Sequence, residues 1–172
     1  LSLGRFPETT DGPPSDISPI VRWISSPNSE VRWRATWALF RPRNPNALPH
    51  LLKLLDDKVP EVRNWAVRAF TPAAVDAAKL QRPEITTRLN KMCLTDTDRT
   101  VRTEALRTLL QYADDEKAFG ALVNALYSTD SWISVSAAEA APRFGARARP
   151  LVPLLADSAE PKDPLSMKIT VV

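Results

Sequence analysis

Val31-Arg32-Trp33-Arg34-Ala35-Thr36-Trp37-Ala38-Leu39 is the stretch on which the fold of this chain turns, because it recurs. Its counterparts are Val62-Arg-Asn-Trp-Ala-Val-Arg-Ala-Phe70, Val101-Arg-Thr-Glu-Ala-Leu-Arg-Thr-Leu109 and Ile133-Ser-Val-Ser-Ala-Ala-Glu-Ala-Ala141, with starts 31, 39 and 32 residues apart. The fifth residue is alanine each time (Ala35, Ala66, Ala105, Ala137), and the ninth is Leu39, Phe70, Leu109 or Ala141. Apolar positions at the first, fifth, eighth and ninth places form one face of a helix. A segment that repeats at this interval implies one supersecondary unit per repeat, stacked on its neighbours.

A second apolar stretch precedes each copy: Ile20 to Ile24, Leu48 to Leu55, Ile85 to Leu94 and Phe119 to Tyr127, and Leu151 to Leu155 follows the last. The unit is therefore a helix pair. Polar turns divide its two helices, at Ser26-Pro-Asn-Ser, Asp56-Asp-Lys-Val-Pro, Thr95 to Thr100 and Ser128-Thr-Asp-Ser, and supply side-chain oxygens that can cap the second helix. Pro19, Pro49 and Pro150 are placed at the starts of first helices, where a missing N–H costs nothing.

Composition agrees. The 172 residues are 44% apolar and 25% charged, enough for a core, and four glycines argue against a turn-dense β-sandwich. The net charge of +3 is too small to imply a polyanionic partner, although between Arg22 and Arg68 nine basic residues face four carboxylates. One cysteine, Cys93, excludes an internal disulfide, and with one histidine, His50, it cannot assemble a Cys/His metal site. No apolar run approaches the ~20 residues that span a bilayer. No membrane partner, cofactor or metal is expected, and the compartment is left open.

The pairs resemble HEAT repeats, specifically the short HEAT-like form also found in phycobilisome lyases. The resemblance rests on Asp57 with Arg63 and Asp96 with Arg102, an Asp-x5-Arg spacing beside Val-Arg-x-x-Ala. It covers roughly residues 17–160 and implies an all-α, right-handed α-solenoid, an αα-superhelix of about four HEAT-like helix pairs. It also implies that these Asp and Arg residues form a hydrogen-bond ladder between repeats. Ser26 ahead of Arg32, Ser134 in the arginine position and the extra residues 73–82 depart from the pattern. Residues 1–16 read as the end of a preceding repeat with a linker, and 161–172 as the start of a further one, cut from a longer array.

In such a solenoid the third, fourth and seventh positions of each second helix resemble the lining of a concave face. They hold Trp33, Arg34 and Trp37, then Asn64, Trp65 and Arg68, then Thr103, Glu104 and Arg107, then Val135, Ser136 and Glu139. Trp and Arg are the side chains most enriched at binding hot spots, so Trp33, Arg34, Trp37, Trp65, Arg68 and Arg107 are the candidate partner-binding residues. Trp33 and Trp37 stand equally to be covered by a preceding repeat or an adjoining domain. Trp65 could also pack flat on Trp33 or Arg34, and Trp23 and Trp132 read as filler between helices. The chain has no phosphate loop, dinucleotide fingerprint, nucleophile elbow or zinc-protease motif, and no catalytic residue is assigned. Cys93 reads as a small buried hydrophobe, and Arg143, Arg147 and Arg149 as a group that could meet an acidic partner.

The sequence thus points to a non-catalytic scaffold that binds a protein partner, or another domain of its own polypeptide, through its concave face. Alternatives are nucleic-acid binding by the same face, as in HEAT-like DNA glycosylases, an accessory domain of a larger enzyme such as a bacterial sulfatase, and a bilin-lyase-like protein.

Overall fold

The computed structural model describes residues 16–153, which contain helices and no strand. The expected boundaries at 1–16 and 161–172 fall essentially outside them. Helix α1 (Ser18–Val21) runs into a 3-10 turn (Arg22–Ser25) and pairs with α2 (Ser29–Phe40). A 3-10 turn (Pro45–Ala47) leads into α3 (Leu48–Leu54), which pairs with α4 (Pro60–Val67). After a short extra helix, α5 (Pro72–Ala77), come α6 (Arg82–Thr95) with α7 (Arg99–Leu109), then α8 (Glu116–Leu126) with α9 (Ser131–Ala140). The second helices touch in series, α2 on α4, α4 on α7 and α7 on α9, so the molecule is an all-α solenoid.

The recurring alanine explains the stacking. Ala66, Ala105 and Ala137 are completely buried and Ala35 nearly so, small residues on the stripe that each second helix buries. Val62, Val101, Leu39, Phe70 and Leu109 flank them, at most 1% exposed. Each such Leu or Phe contributes roughly 1.5–3 kcal/mol on burial. Three of the four polar turns cap their second helix, Asn28 accepting from Glu30 N–H, Asp98 from Thr100 and Val101, and Asp130 from Trp132. By contrast α4 has no side-chain cap at Val59, and Asp115 caps the first helix α8 through Lys117 and Ala118. Residues 73–82, extra to the repeat, fold mostly as α5 and its turn, lying against both the Pro45–Ala47 turn and α6. Pro150 is followed by helical residues at 152 and 153, and the rest of the helix expected after it lies outside the described residues. Pro150 itself lies in a 3-10 segment (Ala141–Leu151) interrupted by Gly145, whose φ of 53° breaks the helical path.

Arginines tie the turns together. Arg32 grips Asp57 of the next pair through Nε and Nη2 at 2.7 and 2.9 Å, while its Nη1 donates to the Ser26 and Pro27 carbonyls. Arg63 repeats the arrangement one pair on, with Asp96 at 2.8 and 2.6 Å and the Asp57 and Lys58 carbonyls. Burial pushes the Asp57 carboxyl up, but the Arg32 bond, the Val59 N–H and the charges of Arg32 and Arg63 outweigh it and hold the group below its usual value. The ladder stops where the sequence departs from its pattern. Arg102 keeps its bonds to the Asp96 and Thr97 carbonyls, but Ser128 stands where the next aspartate would be. The last link shifts outward, to a bidentate pair of Arg99 with Asp130.

Candidate functional site

The ends of the second helices leave three adjoining recesses, of about 630, 360 and 280 Å³. Glu104 and Arg107 of α7 line all three, which makes them the centre of one continuous groove. The largest recess runs between the end of α2 and the α3 and α4 helices, bounded by Phe40, Arg43, Leu48 and Arg68. The smallest reaches Ser136, Glu139 and Arg143, and the one of about 360 Å³ opens past Asn64 and Arg99 to Trp132.

A helical stripe produces this grouping. Glu104, Arg107 and Gln111 follow one another at three and four residues along and just beyond α7, as do Ser136, Glu139 and Arg143 along and beyond α9. The register continues one turn past the helix ends, so Gln111 and Arg143 extend the face that holds Glu104 and Glu139.

Arg68 is the most constrained of the groove side chains. Its guanidinium lies 4.5 Å from the centre of the Trp65 ring and donates to Glu104 Oε2 at 3.1 Å, while its buried Nε has no partner. Trp65 in turn packs on Phe40, ring centres 6.0 Å apart and tilted by 42°. Trp65 therefore packs on Phe40 and Arg68, where the sequence offered Trp33 or Arg34. It sits half-buried and sets the position of Arg68 across two repeats. A guanidinium over an indole contributes about 0.5–1 kcal/mol, more when desolvated. Arg107 is exposed and spends only its Nε, on Ser136 Oγ at 3.3 Å.

Of the six candidates, the structure brings Arg68 and Arg107 into the groove, with Trp65 supporting Arg68. It does not place Trp33, Arg34 or Trp37 on the groove wall. Trp33 donates from Nε1 to Glu30 at 2.6 Å and lies under Arg34, which itself pairs with Glu30. Arg34 lines a separate apolar recess of about 410 Å³ on the α1–α2 flank with Ile20, Trp23, Val31, Ala35 and Ala38. Trp37 is exposed, with Arg41 over its ring.

Sequence reasoning missed Phe40, Arg43, Gln111 and Trp132. Trp132 is 65% exposed and Trp23 48%, so neither is inter-helix filler: both stand at the edges of recesses. Gln111 could have been found by carrying the stripe one turn further. Arg43 could not, because it takes a left-handed φ of 53° after α2. Of the basic trio, Arg147 is satisfied by Glu116 at 2.8 Å and by stacking over Phe119, whereas Arg143 faces the groove. Cys93 is half-buried, and burial raises its thiol to about 11, so it is protonated at neutral pH despite Arg102 nearby. Among the described residues no group of three or more His, Cys, Asp or Glu is placed to hold a metal, and no helix is long and apolar enough to cross a membrane.

Residues 2–71 match the family model for HEAT repeats, which reaches through the first two described helix pairs. Two engineered proteins solved by the Northeast Structural Genomics Consortium are similar in structure. One is 28% identical, with a TM-score of 0.57, over 83% of this chain and 67% of its own length. The other is 20% identical, also with a TM-score of 0.57, over 84% of this chain and 70% of its own, and shows the fold alone. No curated protein matches the chain.

Proposed function

On the premise that this chain is a repeat scaffold carrying HEAT repeats, we propose that it binds a protein partner, or a neighbouring domain of its own polypeptide, through the groove centred on Glu104 and Arg107. The observation that supports this most is the continuity of that groove: three recesses built by all four helix pairs share two side chains of α7. Repeats stacked in this way act as one extended surface, and their usual work is protein interaction. Arg68, preset by Trp65 and Glu104, has little rotamer freedom left to lose on binding, which favours recognition.

Nucleic acid is the weaker reading. Single-strand binding stacks successive bases on several aromatic faces, and with Trp33 and Trp65 engaged by Arg34, Phe40 and Arg68 only Trp132, at one edge of the groove, offers one among the described tryptophans of the groove. Glu104 and Glu139 would also repel a phosphate backbone.

Site-specific photo-crosslinking tests the proposal. A benzophenone amino acid replaces the exposed Gln111 at the groove, or the exposed Asn124 on α8 as a control, and the full chain is irradiated in extract of its source organism. The expected result is a discrete protein adduct at Gln111 alone, retained at high salt and lost when Trp65→Ala and Arg68→Ala are added. Equal labelling at both sites, or an adduct indifferent to the double substitution, refutes the groove as the binding surface. A nucleic-acid adduct that disappears at high salt favours the weaker reading.

A further inference from the structure

Eight arginines among the described residues are neutralised at home. Arg32, Arg34, Arg63, Arg68, Arg82, Arg88, Arg99 and Arg147 each have a carboxylate partner, and Arg102 is held by two carbonyls. Three that line the groove, Arg43, Arg107 and Arg143, form no salt bridge among the described residues. Glu104 is taken by Arg68, which leaves Glu139 as the one other groove carboxylate against these three cations.

The three cations are not crowded together. Arg43 stands at the wall of the largest recess, Arg143 at that of the smallest, and Arg107 is shared by both. Beside them sit Gln111, a neutral donor and acceptor common to both recesses, and the apolar surface of Phe40 and Leu48 in the larger one. A guanidinium with free terminal nitrogens offers paired donors matched to a carboxylate.

We propose that the groove's partner is an acidic polypeptide segment, laid across α2, α4, α7 and α9 so that its Asp or Glu carboxylates meet Arg107 and at least one of Arg43 and Arg143. This rests on the protein-binding reading above and adds the chemistry of the partner. A carboxylate-bearing peptide fits better than a polyphosphate strand because its charges are spaced by side chains. It can place carboxylates at the free arginines and neutral residues at Glu104 and Glu139, which a uniformly charged strand cannot.

The test uses the full chain and a positional-scanning library of unstructured decapeptides in which one position at a time is fixed as Asp, Glu, Asn or Gln, with a single-stranded oligonucleotide of matched length alongside. Retention is measured on wild type, Arg107→Gln, Arg107→Lys, Arg143→Gln and, as a surface control outside the groove, Lys91→Gln on the exposed side of α6, each shown by circular dichroism to be folded. The expected result is preference for the acid-fixed peptides over their amide counterparts. Arg107→Gln should weaken it on the order of tenfold, the loss of one charge-assisted contact. Arg143→Gln should weaken it less, Arg107→Lys should restore part of it, and Lys91→Gln should leave it unchanged. Equal retention of acid and amide peptides, an acid preference that survives Arg107→Gln, or stronger arginine-dependent retention of the oligonucleotide overturns the proposal. Failure here together with a protein adduct at Gln111 removes only the acidic specificity. Absence of that adduct removes the protein-binding reading itself.

Discussion

Replacing Arg63 by methionine isolates the worth of a ladder rung, because the chain carries its own control at Arg102. Arg63 is 11% exposed and Asp96 8%, the pair is bidentate, and the same guanidinium also holds the Asp57 and Lys58 carbonyls. Methionine fills much of the side-chain volume but leaves Asp96 with only the Asp98 N–H to answer a buried negative charge. Breaking one side of a buried pair costs about 3–5 kcal/mol, and the residual exposure points to the lower end, near 3 kcal/mol. Arg102 makes the same two carbonyl contacts with no carboxylate partner, so Arg102→Met should cost only about 1–2 kcal/mol. Urea unfolding followed by both circular dichroism and tryptophan fluorescence gives the two losses, coincidence of the probes showing whether the array unfolds as one unit. Equal losses for the two variants would refute the idea that the inter-repeat ion pair, rather than the turn carbonyls, carries the stabilisation.

Three further outcomes follow from the same packing. Ala66→Leu forces extra volume into a completely buried site and should cost about 1–3 kcal/mol, so an unchanged melting temperature would contradict this register. Tyr112→Phe removes the buried bond of 2.7 Å from Tyr112 Oη to the Phe70 carbonyl, which ties the turn after α7 back to the end of α4. The expected loss is about 1–2 kcal/mol in denaturant titration. Asp57, Asp98 and Asp130 are all held below the usual carboxylate value, by Arg32 against burial, by the Thr100 hydroxyl and by Arg99 respectively. A depressed carboxylate stabilises the fold above its unfolded value near 3.8 and loses that contribution as pH falls through the folded one. The melting temperature should therefore hold steady down to about pH 5 and drop below about pH 4, and an Arg32→Met variant should lose part of that drop.

The helix pairs were legible because burial in a solenoid is local. Each unit buries one stripe against its neighbours, so the periodicity of Val62, Ala66 and Phe70 carries the fold without reference to distant residues. The far end of the ladder was legible for the same reason, since Ser134 stands in the arginine position, whereas Ser26 ahead of Arg32 does not interrupt the rung to Asp57. The concave site was only partly legible. Position along a helix says which way a side chain leaves the axis, and it pointed to the face on which Arg68 and Arg107 line one recess. It says nothing of what neighbouring side chains do to one another, which is why the covering of Trp65 by Phe40 and Arg68, and of Trp33 by Arg34, could not be foreseen.

The sequence by itself determined an all-α array of stacked pairs, its register and its structural arginines, because those depend on spacing within a repeat. Only the tertiary structure decided which arginines are already neutralised and which face a groove with charge to spare. Ion pairing is a competition among groups brought together from different repeats. Its outcome depends on how successive helices are set against one another, on the left-handed turn that puts Arg43 at the groove, and on the 3-10 segment that carries Arg143 there.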